Sequence, residues 1–218
     1  MKFVTFATLI FTMPLFLHKQ VNEDTVLAIW KISEHKEELS ELIGEHLHEH
    51  NSKHENLHWL ASRALIKNLF PDHKVEVFKD EFNKPSLKID GMPYHISITH
   101  SFQFAAVMVS KSKTVAIDME KLDERIQRVK HKLMREDELD YLSSENETGM
   151  LVTVWAAKET LFKFYGKKEL DFKLHLQIES FNYKSKFELT GLIRKNGFSQ
   201  TLTINVEELD GYVLTFIA

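Results

Sequence analysis

The chain has 218 residues, 43% of them hydrophobic and 28% charged, the balance of a water-soluble globular protein able to bury a core in one large domain or two small ones. Lys and Arg number 28 against 32 Asp and Glu, so the net charge of −4 gives no footprint for bulk nucleic-acid binding, although a local basic pocket remains open. No cysteine is present, which excludes disulfides, thiolate zinc sites and cysteine nucleophiles, and nothing calls for an oxidising compartment.

Lys2 followed by an apolar run to Leu17 resembles a signal peptide. The run is shorter than the roughly 20 residues a membrane span needs. Thr5, Thr8, Thr12 and Pro14 interrupt it, and no small-x-small cleavage site follows. Met13 offers a second start, so residues 1–12 read as an upstream extension or a weak signal-like segment and 13–18 as a first strand. Residues 25–32, rich in β-branched and aromatic types, predict a strand, and 34–42 a short polar helix. Apolar residues recur at helical spacing over 55–70, where Pro71 stops them. Three strands are expected next, at 74–78, 94–99 and 104–110, with Asn83-Lys84-Pro85 as a turn. The polar break at 111–113 divides a first subdomain, 13–112, from a second, 113–218.

The second half begins with a strand at 114–120. Helical patterns follow at 124–132, 135–142 and 148–165, the last ending at Gly166. Strands are expected at 173–181, 187–194, 201–206 and 212–217. Each half thus reads as helices followed by antiparallel strands, an α+β pattern in which element order, rather than sequence repetition, suggests duplication.

Two stretches carry candidate chemistry. On the strand Val115-Ala116-Ile117-Asp118-Met119-Glu120, alternation points Asp118 and Glu120 the same way and Ile117 and Met119 into the core. Two carboxylates on one face repel unless a cation or proton lies between them, and Mg²⁺ favours a few carboxylates with phosphate oxygens and water. The plain alternative is a solvated strand face. On the predicted helix, Trp155, Glu159 and Lys163 share one face at i, i+4 and i+8. Glu159 is then a candidate third metal ligand and Lys163 a phosphate contact, against the plain alternative of a surface Glu–Lys pair. A third stretch, His95 to Ser101, ends a strand at His100, a donor available to phosphate or simply a satisfied polar residue.

In chain order, Asn83-Lys84-Pro85, Thr99-His100-Ser101, Ala116-Ile117-Asp118-Met119-Glu120, and Trp155 with Lys158, Glu159 and Lys163 resemble the Sfp-type 4′-phosphopantetheinyl transferases. The resemblance runs from about residue 57 to 166. Ala116 stands where that family has glycine, and Thr99 where its S-H-S segment begins with serine. Neither change removes a ligand. The resemblance implies two similar, pseudo-duplicated α+β subdomains, each with helices packed on an antiparallel sheet, and an active site in the cleft between them. It implies Mg²⁺ held by Asp118, Glu120 and Glu159, with coenzyme A as co-substrate. The activity implied is that of a holo-carrier-protein synthase, passing the 4′-phosphopantetheine arm to a serine of an apo acyl or peptidyl carrier protein and releasing 3′,5′-ADP. Glu159 and Lys163 would be catalytic. Lys84, Thr99, His100, Lys158 and Lys163 would bind coenzyme A, and Arg63 would reach its 3′-phosphate, unless it is a solvated helix residue. A cytoplasmic monomer with neither nucleic acid nor membrane as partner is expected. A relative that binds coenzyme A or a carrier without transfer is the alternative.

A histidine-rich stretch gives a rival signal. His46, His48, His50, His54 and His58 lie close together, and His54-Glu55-Asn56-Leu57-His58 matches the H-E-x-x-H of zinc peptidases. Ala61 and Ala64 occupy the Gly and His positions of the extended motif, so a third ligand is lacking there.

Overall fold

In the computed structural model, which describes residues 15–43 and 56–218, two antiparallel sheets pack face to face with helices on their outer sides. The first sheet contains β1 (Leu15–Asn22), β2 (Thr25–Lys31), β3 (Val75–Lys79), β4 (Pro85–Ile89), β5 (Met92–Ser101) and β6 (Phe104–Ser110), in the order β1-β2-β6-β5-β4-β3. The second contains β7 (Ala116–Lys121), β8 (Leu176–Ile178), β9 (Lys186–Lys195), β10 (Phe198–Leu209) and β11 (Tyr212–Ile217), in the order β7-β11-β10-β9-β8. With β1 set aside, the wiring is the same twice. One strand leads into helices, a four-stranded meander follows, and its last strand returns to pair with the first.

Strand alternation explains the layers. Leu27 and Ile29 of β2 and Phe104, Ala106 and Met108 of β6 meet Ile117 and Met119 of β7 and Leu214 and Phe216 of β11 between the sheets. The intervening Ala28, Trp30, Ala105, Val107 and Val109 turn outward, under α1 (Lys36–Ile43) and α2 (Leu57–Leu69). With both faces covered, β6 and β11 are buried at every position. Such strands read as near-continuous apolar runs, as β6 does from Phe104 to Val109 and β11 does with Thr215 as its one polar residue. On the second sheet the cover is α5 (Glu147–Tyr165), which buries Leu151, Val154, Ala157 and Leu161. Gly166 ends α5 at φ 70°, the left-handed conformation that glycine adopts without a Cβ clash.

The α+β architecture is as expected, with local corrections. Four strands, not three, lie between α2 and β7. The additional one, β4, is joined to β5 by Asp90-Gly91, whose φ values of 51° and 80° suit a two-residue hairpin turn. The strand expected over 173–181 is only Leu176–Ile178, because the Asp171 carboxylate accepts from the N–H groups of Lys173 and Leu174 and curls the chain. The helix expected over 124–132 is a 3₁₀ segment, Glu124–Val129, followed by α3 (Lys130–Leu133), and 135–142 contracts to α4 (Glu136–Leu139). His46, His48, His50, His54, Glu55 and residues 1–14 lie outside the described residues.

Candidate active site

β7 lies beside β5 at the junction of the sheets, where the Ile117 N–H donates to Ser97 Oγ at 3.0 Å. With Ile117 and Met119 in the inter-sheet core, Asp118 and Glu120 turn toward α5. Asp118 is 3% exposed. Its Oδ1 accepts from Thr99 Oγ1 at 2.8 Å and from Lys163 Nζ at 2.7 Å. Lys163 also donates to the Ile117 carbonyl at 3.1 Å. Asp118 Oδ2 is buried without a hydrogen-bond partner. Glu120 Oε1 accepts from Trp155 Nε1 at 2.9 Å. Trp155, Glu159 and Lys163 therefore do share the α5 face that meets β7.

The electrostatics are those of too many anions in too little water. Burial pushes the Glu159 carboxyl up to about 7, with the Asp118 charge adding to it, Lys163 opposing, and Glu120 adding again. Burial, then Asp118, also raises Glu120, against the Trp155 hydrogen bond and Lys163. Three carboxylates thus share one ammonium, and one buried oxygen has no donor. A buried acceptor without a partner costs about 1–3 kcal/mol. These residues fit a divalent cation, since Asp118 Oδ2 is available and both glutamates would lose their mutual repulsion on binding it. As the side chains stand, no three His, Asp or Glu among the described residues are gathered into a ligand set, and Lys163 and Trp155 hold the oxygens of Asp118 and Glu120.

Lys163 also lines a cavity of about 230 Å³, together with Phe82, Lys84, Pro85, Phe162 and Lys167. Lys84 reaches across it to donate to the Phe164 carbonyl at 3.2 Å. Burial lowers the Lys84 pKa, against the opposing charge of Asp80. A Cβ at Gly166 would come within 2.6 Å of Lys84 Cδ, so this glycine admits the lysine stem. His100 stacks on His58 at 4.6 Å between ring centres. Partial burial of its ring, then the charges of His58 and Lys163, hold its pKa below the usual histidine range although an edge stays exposed.

Three expectations need correction. Lys158 does not face phosphate: it is fully buried on another side of α5, bonded to Glu138 at 2.6 Å and to the carbonyls of Leu133 and Phe172. The residue next to Glu159 points about 100° away around the helix. Thr99 spends its hydroxyl proton on Asp118, so it orients a carboxylate. Arg63 is no solvated helix residue: it is 4% exposed, with its guanidinium 4.7 Å from the Trp59 ring centre. His58 of the zinc-peptidase match is engaged with the Phe102 carbonyl and the His100 ring. Two contributors had not been assigned a role from sequence. Ser97, which pegs β7, offered no pattern. Trp155, which holds Glu120, did signal itself by its i, i+4 place before Glu159.

A pair of like-wired α+β sheets, with carboxylates from one strand and one helix at their junction, is the class of protein this structure defines. Residues 114–217 match the family model of the 4′-phosphopantetheinyl transferase superfamily. That segment contains β7, α5 and all three carboxylates, and therefore the part of the structure where the unbalanced charge lies. No curated protein matches the chain. Among the described residues, no helix is long and apolar enough to cross a membrane.

Proposed function

We propose that this chain is a Mg²⁺-dependent, Sfp-type transferase that passes the 4′-phosphopantetheine arm of coenzyme A to a serine hydroxyl of an apo acyl or peptidyl carrier protein. The observation that carries the reading is the buried, unpartnered Asp118 Oδ2, beside two glutamates that burial disfavours as anions, within the segment matching that superfamily. Residues 13–112 and 113–218 are taken as the two subdomains. Asp118, Glu120 and Glu159 would hold the metal. When bound, it neutralises the pyrophosphate and the departing 3′,5′-ADP.

The chain's own residues supply the rest. The serine oxygen attacks the phosphorus that carries the pantetheine arm, and the bond to the bridging pyrophosphate oxygen breaks. Glu159, the carboxylate that α5 brings to the site, would accept the serine proton, directly or through water. Lys163 stands between the carboxylates and the 230 Å³ cavity, so it can leave Asp118 for a phosphate once another cation neutralises that residue. Lys84, on the same cavity, would be a second cation for coenzyme A, and His100, at the end of β5, a hydrogen-bond donor to its phosphates. Lys158 is left out of this set and Thr99 acts through Asp118.

The test is incubation with coenzyme A, Mg²⁺ and a panel of apo carrier proteins, followed by mass measurement. A gain equal to the phosphopantetheine arm on one carrier, absent in chelator, supports the reading. Coenzyme A binding with no mass gain on any carrier would leave a binding protein instead.

A further inference from the structure

We propose that His58 is a positioning residue for coenzyme A binding, fixing the imidazole of His100. The inference rests on the reading of His100 as a phosphate contact. His58 lies in the first turn of α2, whose Asn56 cap accepts from the Trp59 N–H at 3.0 Å. Its Nε2 lies 2.6 Å from the Phe102 carbonyl. A carbonyl can only accept, so this nitrogen carries the proton. The ring is thus tied to the β5–β6 turn at one end, while its face lies against His100, with the planes 15° apart.

This tie adds to the bond that the Ile32 N–H donates to the Gln103 carbonyl at 2.7 Å in the same turn. Phe102 adopts φ 50°, a region that an aromatic residue enters at a cost. Its side chain is 71% exposed, so no apolar burial secures it, although the Lys121 ammonium lies 4.7 Å from the ring centre. His100 is two residues before Phe102 on the strand that enters this turn. Its own ring has an exposed edge and a backbone hydrogen bond, and its face lies on His58, a contact that restrains the plane of the ring. The tie and the stack therefore act on one short segment: the first sets the turn and the second sets the ring. With its Nε2 proton committed to a carbonyl, His58 leaves His100 as the member of the pair whose ring N–H is open to a phosphate.

Two readouts separate this role from a merely structural one. The first is ¹³C relaxation of the His100 ring in the free protein. The ring should be rigid in wild type, mobile in His58→Ala, and largely rigid again in His58→Phe, which keeps the stacking face. The second is a double-mutant cycle on coenzyme A affinity, measured by calorimetry. His58→Ala should weaken binding about tenfold, the low end of what partners behind a binding histidine contribute. In a His100→Ala background the same change should do nothing further. His58→Phe should stay within about threefold of wild type. A rigid His100 ring in His58→Ala, or an undiminished effect of that change in His100→Ala, overturns the proposal. If wild type binds no coenzyme A, the functional reading fails, and the ring relaxation alone decides whether His58 positions His100.

Discussion

Replacing Glu159 by Gln tests the electrostatics of the site without reference to turnover. The folded protein raises this carboxyl from its ordinary 4.5 to about 7. It therefore binds the proton more tightly than the unfolded chain does, and stability falls as pH rises from about 4.5 to about 7. Above 7 the penalty is fully present; below 4.5 it is gone. At about 1.4 kcal/mol per pH unit, that interval amounts to about 3.5 kcal/mol at most. Glu159 keeps part of its surface in water, and screening reduces the expectation to about 1–2 kcal/mol. Gln has the same shape and no charge. In chelator at pH 8, Glu159→Gln should be more stable than wild type by that amount, which for a chain of this size is a rise in Tm of about 2–8 °C. At pH 4.5 the two should melt together. Adding Mg²⁺ at pH 8 should raise the Tm of wild type and leave the variant nearly unmoved. A variant less stable than wild type at pH 8, or a difference that does not change with pH, would refute the argument that Glu159 is an anion held against its preference.

Asp118→Asn should abolish transfer and the Mg²⁺-dependent rise in Tm, with the far-UV spectrum unchanged; retained turnover at saturating substrate would remove Asp118 from the metal site. Lys163→Met should tighten Mg²⁺ binding to the free protein severalfold, because a competing cation is removed from Asp118, and weaken coenzyme A binding roughly ten- to a hundredfold, the worth of a charge-assisted contact. Calorimetry reads both, and wild-type affinity for each would reduce Lys163 to a structural partner of Asp118. Lys158→Met strands the buried Glu138 carboxylate and should cost about 3–5 kcal/mol in chemical denaturation, most of it recovered in the double variant with Glu138→Gln; a cost below about 1 kcal/mol would mean the pair is not what ties α5 to α4.

The sequence displayed the fold where one physical signal dominated. β6 and β11 are nearly all apolar because two layers cover them, and α5 carries a helical apolar pattern with its stop at Gly166. It was harder to read where signals competed. Pro85 read as a turn and hid β4, since proline lacks an N–H for a ladder; here it opens the strand, a place where that loss is tolerated. The better clue was Asp90-Gly91, a hairpin dipeptide between Ile89 and Met92. Residues 173–181 are rich enough in apolar types to suggest a long strand, yet one aspartate accepting from backbone donors suffices to curl their start.

The site divided along similar lines. Periodicity placed Asp118 with Glu120, and Glu159 with Lys163, because two residues along a strand and four along a helix each return to the same face. It could not say that β7 and α5 would meet, since that depends on β11 returning to pair with β7 across about a hundred residues of chain. Nor could a lysine next to a site glutamate reveal its own direction. Lys158 and Glu159 are neighbours in sequence, but the helix turns one into Glu138 and the other toward Asp118. The two lysines of this helix differ in consequence: Lys158 is buried with its counter-ion and committed to the fold, whereas Lys163 keeps 26% of its side chain exposed and borders both the carboxylates and a cavity. Only the second can exchange partners, once another cation takes over the buried Asp118 charge, and such an exchange is what binding a metal and a phosphate side by side requires.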